Sequence, residues 1–193
     1  MSDGMRVAEP TVLMVDDEKK VADAYALRLD DVADVTVAYS GEEALEAVDE
    51  GSAPDIVLLD RHMPAMSGDE VLTRIRERDL ESRVVMVTAV DPDLDVLDMP
   101  FDDYLSKPVE RSDLLAVVDQ QCQVLAYELL GEYFRLESTR AVVESQAPDE
   151  NASDGRIADL EAERSAIKER IRSLLPEAEQ MLSTFDEIDR GGY

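Results

Sequence analysis

The feature that most constrains this chain is a run of four apolar residues, Ile56-Val57-Leu58-Leu59, that ends abruptly in Asp60. A strand with no polar position on either face must be covered on both sides, so it belongs at the centre of a sheet layered with helices. Other short runs fit around it. Thr11-Val12-Leu13-Met14-Val15 ends in Asp16-Asp17, Val35-Thr36-Val37-Ala38 is a second strand, and Val84-Val85-Met86-Val87 ends at Thr88. A short fifth strand around Asp103-Tyr104-Leu105 ends in Ser106-Lys107-Pro108. Amphipathic stretches separate the strands. Glu18 to about Asp30 carries Val21, Tyr25, Leu27 and Leu29, read as one helical face. Ser40 and Glu43 have capping-box spacing for a helix through Val48, and a third helix spans about Asp69 to Arg78. Strand and helix in alternation predict an α/β fold, a doubly wound parallel sheet with helices on both faces.

In such sheets ligands bind outside the carboxyl ends of the strands, so Asp16, Asp17, Asp60, Thr88 and Lys107 are expected to converge. Three crowded carboxylates repel one another, and a hard divalent cation with oxygen ligands keeps them ionised; magnesium is the natural choice. Magnesium leaves room for phosphate oxygens and offsets charge on a transferred phosphoryl group. Asp60 is then the nucleophile. Thr88 can hydrogen-bond one phosphoryl oxygen, and the Lys107 ammonium can pair with another as a point charge.

Val-Asp-Asp-Glu at 15–18, Leu-Leu-Asp at 58–60 with Met63-Pro64 and Gly68, Thr88-Ala89, and Asp102 to Pro108 resemble the receiver domain of two-component response regulators over about residues 11–120. The resemblance implies a CheY-like, flavodoxin-like sheet of five strands in order 2-1-3-4-5. It implies Asp60 as phosphoacceptor, magnesium held by Asp16, Asp17, Asp60 and the backbone carbonyl of His62, and Thr88 and Tyr104 as a switch pair. It also implies a histidine kinase as partner and a cis peptide before Pro108. Between Ala89 and Phe101 the chain departs from the family pattern: Pro92 and Pro100 predict a short or irregular fourth helix. His62, the only histidine, is read as an exposed tuner of phosphate lifetime rather than a proton-transfer group.

Beyond Glu110 the strand signal ends. Leu115, Val118, Cys122, Leu125, Leu129, Leu136 and Val143 follow helical spacing with a gap near Glu132 and Tyr133. A turn-rich linker is expected at about 146–155. A heptad seam then runs through Ile157, Leu160, Ile167, Ile171, Leu174, Ala178, Met181, Phe185 and Ile188, breached by Arg164, with a kink or break at Pro176. Residues 121–193 thus predict a C-terminal α-helical hairpin or coiled coil, completed by its own long helix or by a second chain as a homodimer. Leu130 to Tyr133 and Leu136 to Arg140 resemble the HalX domain found behind receivers of halophilic archaea. Residues 1–10 are expected to be disordered.

The 46 acidic against 19 basic residues give a formal net charge of −27, spread over both halves. That field repels nucleic-acid phosphates and argues against direct DNA binding. A salt-rich cytoplasm would screen the self-repulsion. A single cysteine, Cys122, fits a reducing compartment and a buried helix position. The first ten residues lack a signal-peptide core, and no stretch reaches the ~20 apolar residues of a membrane span, so a cytoplasmic location is expected.

The leading expectation is therefore a response regulator, not an enzyme in the ordinary sense. It would signal through its helical module to an unknown downstream protein, with transcription as one output. One alternative is a magnesium-dependent phosphohydrolase with an Asp60 nucleophile. Haloacid-dehalogenase-type phosphatases, however, carry a second acid two residues on, where this chain has His62. The other alternative is a helical dimerisation or interaction protein that the receiver merely regulates.

Overall fold

Ile56–Asp60 forms the middle strand of a five-stranded parallel sheet and is buried along its whole length. In the computed structural model, residues 9–51, 53–78, 80–89, 99–146, 150–178 and 182 are described. The strands are β1 (Thr11–Val15), β2 (Asp34–Ala38), β3 (Ile56–Asp60), β4 (Arg83–Thr88) and β5 (Asp103–Ser106), in order β2-β1-β3-β4-β5. Helices α1 (Lys19–Leu29), α2 (Gly41–Glu50) and α3 (Gly68–Glu77) follow the first three strands, and α4 (Arg111–Gln146) follows β5. The chain divides into two compact units, Glu9–Cys122 and a second beginning at Gln123.

Side chains alternate across the sheet with period two. Leu13, Val15, Val57, Leu59, Val84 and Met86 share one core cluster with Leu45 and Val48 of α2 and Val71, Leu72 and Ile75 of α3. Their neighbours Val12, Met14, Leu58, Val85 and Val87 are equally buried on the opposite face. Truncating a buried leucine of such a core costs about 2–5 kcal/mol.

The helix faces differ in detail from the expectation. On α1 the buried residues are Ala22, Tyr25 and Leu29, whereas Leu27 is 76% exposed. Ala22, Tyr25 and Leu29 follow i, i+3, i+7 spacing, and Leu27 lies two residues, about 200° round the helix, from Tyr25. On α4, Leu114 rather than Leu115 enters the core, and Tyr133, fully buried, fills the supposed gap.

Caps set the helix starts. Ser40 accepts from Glu43 N as expected, while Glu43 reaches back to Tyr39 N at 2.8 Å. A full capping box, Ser67 with Glu70, opens α3. Glu70 is held below the usual carboxylate range by its hydrogen bonds from Ser67.

The second unit contains the rest of α4, α5 (Glu150–Leu174) and a short 3-10 turn, Pro176–Ala178. The seam's breach is resolved here, because Arg164 pairs with Glu137 and lies 6.0 Å from the Tyr133 ring. An ion pair between residues this far apart in sequence brings α4 and α5 side by side. As expected, α5 stops before Pro176. The linker expected over 146–155 is instead helical from Glu150 onward. A lone Gly155 costs a long helix only about 1 kcal/mol, less than cooperative propagation through it returns.

The irregular fourth helix expected between Ala89 and Phe101 falls largely on 90–98, outside the described residues. So do most of the N-terminal ten residues and the seam positions Met181, Phe185 and Ile188. Of the first ten residues, Glu9 and Pro10 are described, and the Pro10 carbonyl accepts a 2.9 Å bond from Asp34 N. No described helix is long and apolar enough to cross a membrane.

Cys122 is buried on α4, and its thiol is pushed up to about 12, chiefly by burial and secondarily by the charges of Asp55 and Asp119. Iodoacetamide at about pH 8 should therefore alkylate the native protein at least ~100-fold more slowly than the denatured chain. Equal rates in the two states would contradict this burial.

Candidate functional site at the carboxyl edge of the sheet

Strand register assembles the site. Val15 pairs with Leu59, so Asp16, one residue on, lies beside Asp60. Asp60 in turn pairs with Val87, and Thr88 with Ser106, which brings Thr88 and Lys107 to the same edge. Carboxylate oxygens of Asp16, Asp17 and Asp60 all lie within 4.8 Å of one another.

Asp16 is fully buried, and Asp60 is 5% exposed. One oxygen of Asp16 accepts from Glu18 N at 2.9 Å, and the other accepts from Lys107 Nζ at 2.6 Å. The same ammonium lies 3.0 Å from Asp60 Oδ1. Lys107 is fixed by its own backbone, whose N–H donates to Thr88 O at 2.7 Å, and the Lys107-Pro108 peptide is cis. Burial pushes the Asp60 carboxyl above its ordinary value; Lys107 opposes this shift, and the charges of Asp16 and Asp17 add to it. Burial also disfavours the charged form of Lys107, but hydrogen bonds to Asp16 and Asp60 outweigh it and raise its pKa.

One lysine cannot balance three carboxylates. The shortfall of two charges in a partly desolvated cluster of hard oxygen donors suits a divalent cation such as magnesium. Asp16, Asp17 and Asp60 could hold it.

The loop after Asp60 is braced from several sides. Arg61 forms a two-pronged contact with Asp69, at 3.1 and 3.2 Å, and its carbonyl accepts from Gly68 N at 2.9 Å. Ala65 takes the left-handed φ of 66°, a strain of about 1 kcal/mol for a residue with a Cβ. His62 is exposed, and its Nδ1 lies 3.3 Å from Thr88 Oγ1. Thr88 is fully buried, while Tyr104 is half-buried and packs against the core cluster.

A supporting network escaped sequence reasoning. Arg76 of α3 donates to Pro100 O and Ser82 O, each at 2.8 Å, and to Asp102 Oδ2 at 2.6 Å. Asp102 also accepts from Val84 N and pairs with Arg83. This fixes the backbone leading into β5 and hence into Tyr104 and Lys107. Its members are far apart in sequence, so no local pattern signals it.

The response regulator receiver domain family matches residues 12–119, more than half of the chain. The chain belongs to the response regulator receiver family. The HalX domain matches residues 123–189 of the same chain. A Haloferax volcanii protein named "Putative transcriptional regulator" is 41% identical over 187 residues, which cover 96% of this chain and 31% of that protein. The transcriptional regulatory protein DltR of Streptococcus agalactiae is 41% identical over 109 residues, 54% of this chain and 48% of its own. This chain thus spans about half or less of the curated relatives it matches here.

Among solved structures, a CheY-like receiver protein from Methanospirillum hungatei superposes with a TM-score of 0.58 at 26% identity, covering 63% of this chain and 99% of its own. The BeF3-activated DrrB receiver domain gives a TM-score of 0.54 at 28% identity, covering 60% and 98%. The receiver assignment and the sheet order expected from the sequence both hold.

Proposed function

We propose that this receiver accepts a phosphoryl group on Asp60 from the phosphohistidine of a partner histidine kinase, in a magnesium-dependent reaction. The observation that carries this reading is the meeting of Asp60 with two further carboxylates and one ammonium at the carboxyl edge of the sheet. An Asp60 carboxylate oxygen forms the new P–O bond as the donor's P–N bond breaks, and the donor imidazole departs. Lys107 holds that oxygen in place beforehand and can follow the charge onto the phosphoryl oxygens. Magnesium, bound by Asp16, Asp17, Asp60 and the His62 carbonyl, would neutralise charge on the transferred group.

Thr88 and Tyr104 then act as the switch. Drawing the Thr88 hydroxyl toward the phosphoryl group gives one state a contact the other lacks, and the populations shift accordingly. The change passes to the HalX module and from there to a downstream protein, with transcriptional control as the output that the relatives' names support. The acidic surface favours a protein intermediary over direct DNA contact and a salt-rich working environment.

Intact mass spectrometry tests the first step, with a small acyl phosphate as donor. The wild-type chain should gain one phosphoryl group with magnesium and none with a chelator present. Asp60→Asn should gain none under either condition. Labelling of Asp60→Asn at the wild-type level would overturn the proposal.

A further inference from the structure

Helix α1 ties the two sides of the site together. At its start, Glu18 N donates to Asp16 Oδ1 at 2.9 Å, so the helix leads directly out of the carboxylate pair. In its second half, Tyr25 and Arg28 stand three residues apart on one face and take hold of the loop that follows Lys107. The Arg28 guanidinium donates to the Val109 carbonyl at 2.6 Å, and the Val109 N–H donates to the Tyr25 hydroxyl at 3.3 Å. Both main-chain polar groups of this buried residue are thus bonded to side chains of α1. Arg28 also lies over the Tyr25 ring, 5.4 Å from its centroid, so the two clamping side chains brace each other.

Only Pro108 separates Val109 from Lys107, and proline fixes its own φ, so few free torsions lie between the clamp and the lysine. On the other side, the Lys107 N–H donates to Thr88 O at 2.7 Å. A lysine carries a point charge on a flexible stem, so where its ammonium stands depends on where its backbone is held. Here the ammonium reaches Asp16 Oδ2 at 2.6 Å and Asp60 Oδ1 at 3.0 Å. The contacts therefore close a ring, from Asp16 through Lys107 and Val109 to α1, and back through Glu18 N to Asp16.

We propose that Arg28, assisted by Tyr25, is a positioning residue of the phosphoacceptor site that acts through Lys107, setting where the ammonium stands between Asp16 and Asp60. The inference rests on the phosphoacceptor reading and deepens it by naming what aligns the ammonium.

A double-mutant cycle between Arg28 and Lys107 tests this on the full chain, with far-UV circular dichroism to establish that each variant is folded at the temperature used. Arg28→Met keeps the aliphatic stem and loses the donor. It should slow acyl phosphate labelling in saturating magnesium about tenfold, and Arg28→Lys, which keeps a charged donor, should recover most of the rate. In a Lys107→Ala background, Arg28→Met should have almost no further effect, because the group it positions is gone. Tyr25→Phe should act in the same direction by a smaller factor and likewise add little to Lys107→Ala. The same cycle read by isothermal titration calorimetry with magnesium alone needs no phosphodonor. The ammonium repels a metal ion from the carboxylates it contacts, so Lys107→Ala should tighten magnesium binding, Arg28→Met should tighten it less, and the double variant should match Lys107→Ala. An Arg28→Met effect of the same factor with and without Lys107 would overturn the proposal. So would a weakened magnesium affinity in Arg28→Met, which is what a general loosening of the site would give. A wild-type chain that binds magnesium but takes no phosphoryl group would count against the Asp60 reading, and the magnesium cycle would then decide the clamp by itself.

Discussion

Gly68→Ala is expected to lower the melting temperature by about 10 °C or more and to reduce phosphoryl labelling of the folded remainder. A Cβ at this position would stand 2.2 Å from the Asp60 carbonyl oxygen, 2.9 Å from Arg61 Cα and 3.0 Å from the Asp60 carbonyl carbon. All three are backbone atoms of the strand end that carries Asp60, and no side-chain rotation relieves them. Overpacking of this kind costs about 1–3 kcal/mol, occasionally more, and alanine's better helix propensity recovers less than about 1 kcal/mol. In a unit of this size a loss of about 2 kcal/mol corresponds to roughly 10 °C. The glycine is needed for proximity, not for an unusual backbone angle. Gly51→Ala is the control, because among the described residues the nearest atom such a Cβ would meet is the Ala47 carbonyl oxygen, at 3.9 Å. Its melting temperature should move by no more than about 2 °C. Thermal melts followed by circular dichroism decide the comparison.

Lys107→Ala is expected to have the second large effect, one that depends on magnesium. The lysine side chain is 15% exposed, and its partners Asp16 and Asp60 have side chains only 0% and 7% exposed. Removing one partner from a buried ion pair typically costs about 3–5 kcal/mol, because the remaining charge loses its compensation. In chelator the variant should therefore melt far below the wild type, and added magnesium should raise its melting temperature more than it raises the wild type's.

The pH dependence has a defined sign. Burial raises the Asp60 carboxyl, so the folded state holds that proton more tightly than the unfolded chain. The associated stability is present at low pH and is lost as pH rises through the raised value. Without Lys107 the shift should be larger, so in chelator the variant's deficit should narrow on acidification. A deficit independent of both magnesium and pH would mean that Lys107 acts only through packing.

Much of this architecture was legible because burial on both faces of a parallel sheet leaves its mark as unbroken apolar runs. Ile56 to Leu59 could only be central, and the strand ends marked the edge at which Asp16, Asp17, Asp60, Thr88 and Lys107 are brought together. Helix faces were less legible. On α1 the sequence offers Val21, Leu27 and Leu29 as apolar candidates, and a small Ala22 outcompetes Leu27 because angle about the axis, not hydrophobicity, decides which position faces the sheet. The start of α5 was missed because Gly155, Asn151 and Ser153 read as a turn, although cooperativity carries a helix through weak residues. The Arg76 to Asp102 pair and the His62 to Thr88 contact could not be read at all, since each joins residues 26 apart that share no period. Arg164 looked like a flaw in the seam, yet it is matched by Glu137 across the hairpin.

Reductive trapping reads out which residue takes the phosphoryl group, and Asp60 is the residue proposed here. Borohydride reduces an aspartyl phosphate to the corresponding alcohol, leaving a permanent mass mark at the modified position. After treatment with acyl phosphate and magnesium, peptide mapping should find that mark on Asp60 alone, with Asp16 and Asp17 unmodified. A mark on either of those two aspartates, or a phosphoryl group that resists reduction because it sits on a hydroxyl, would overturn the assignment of Asp60.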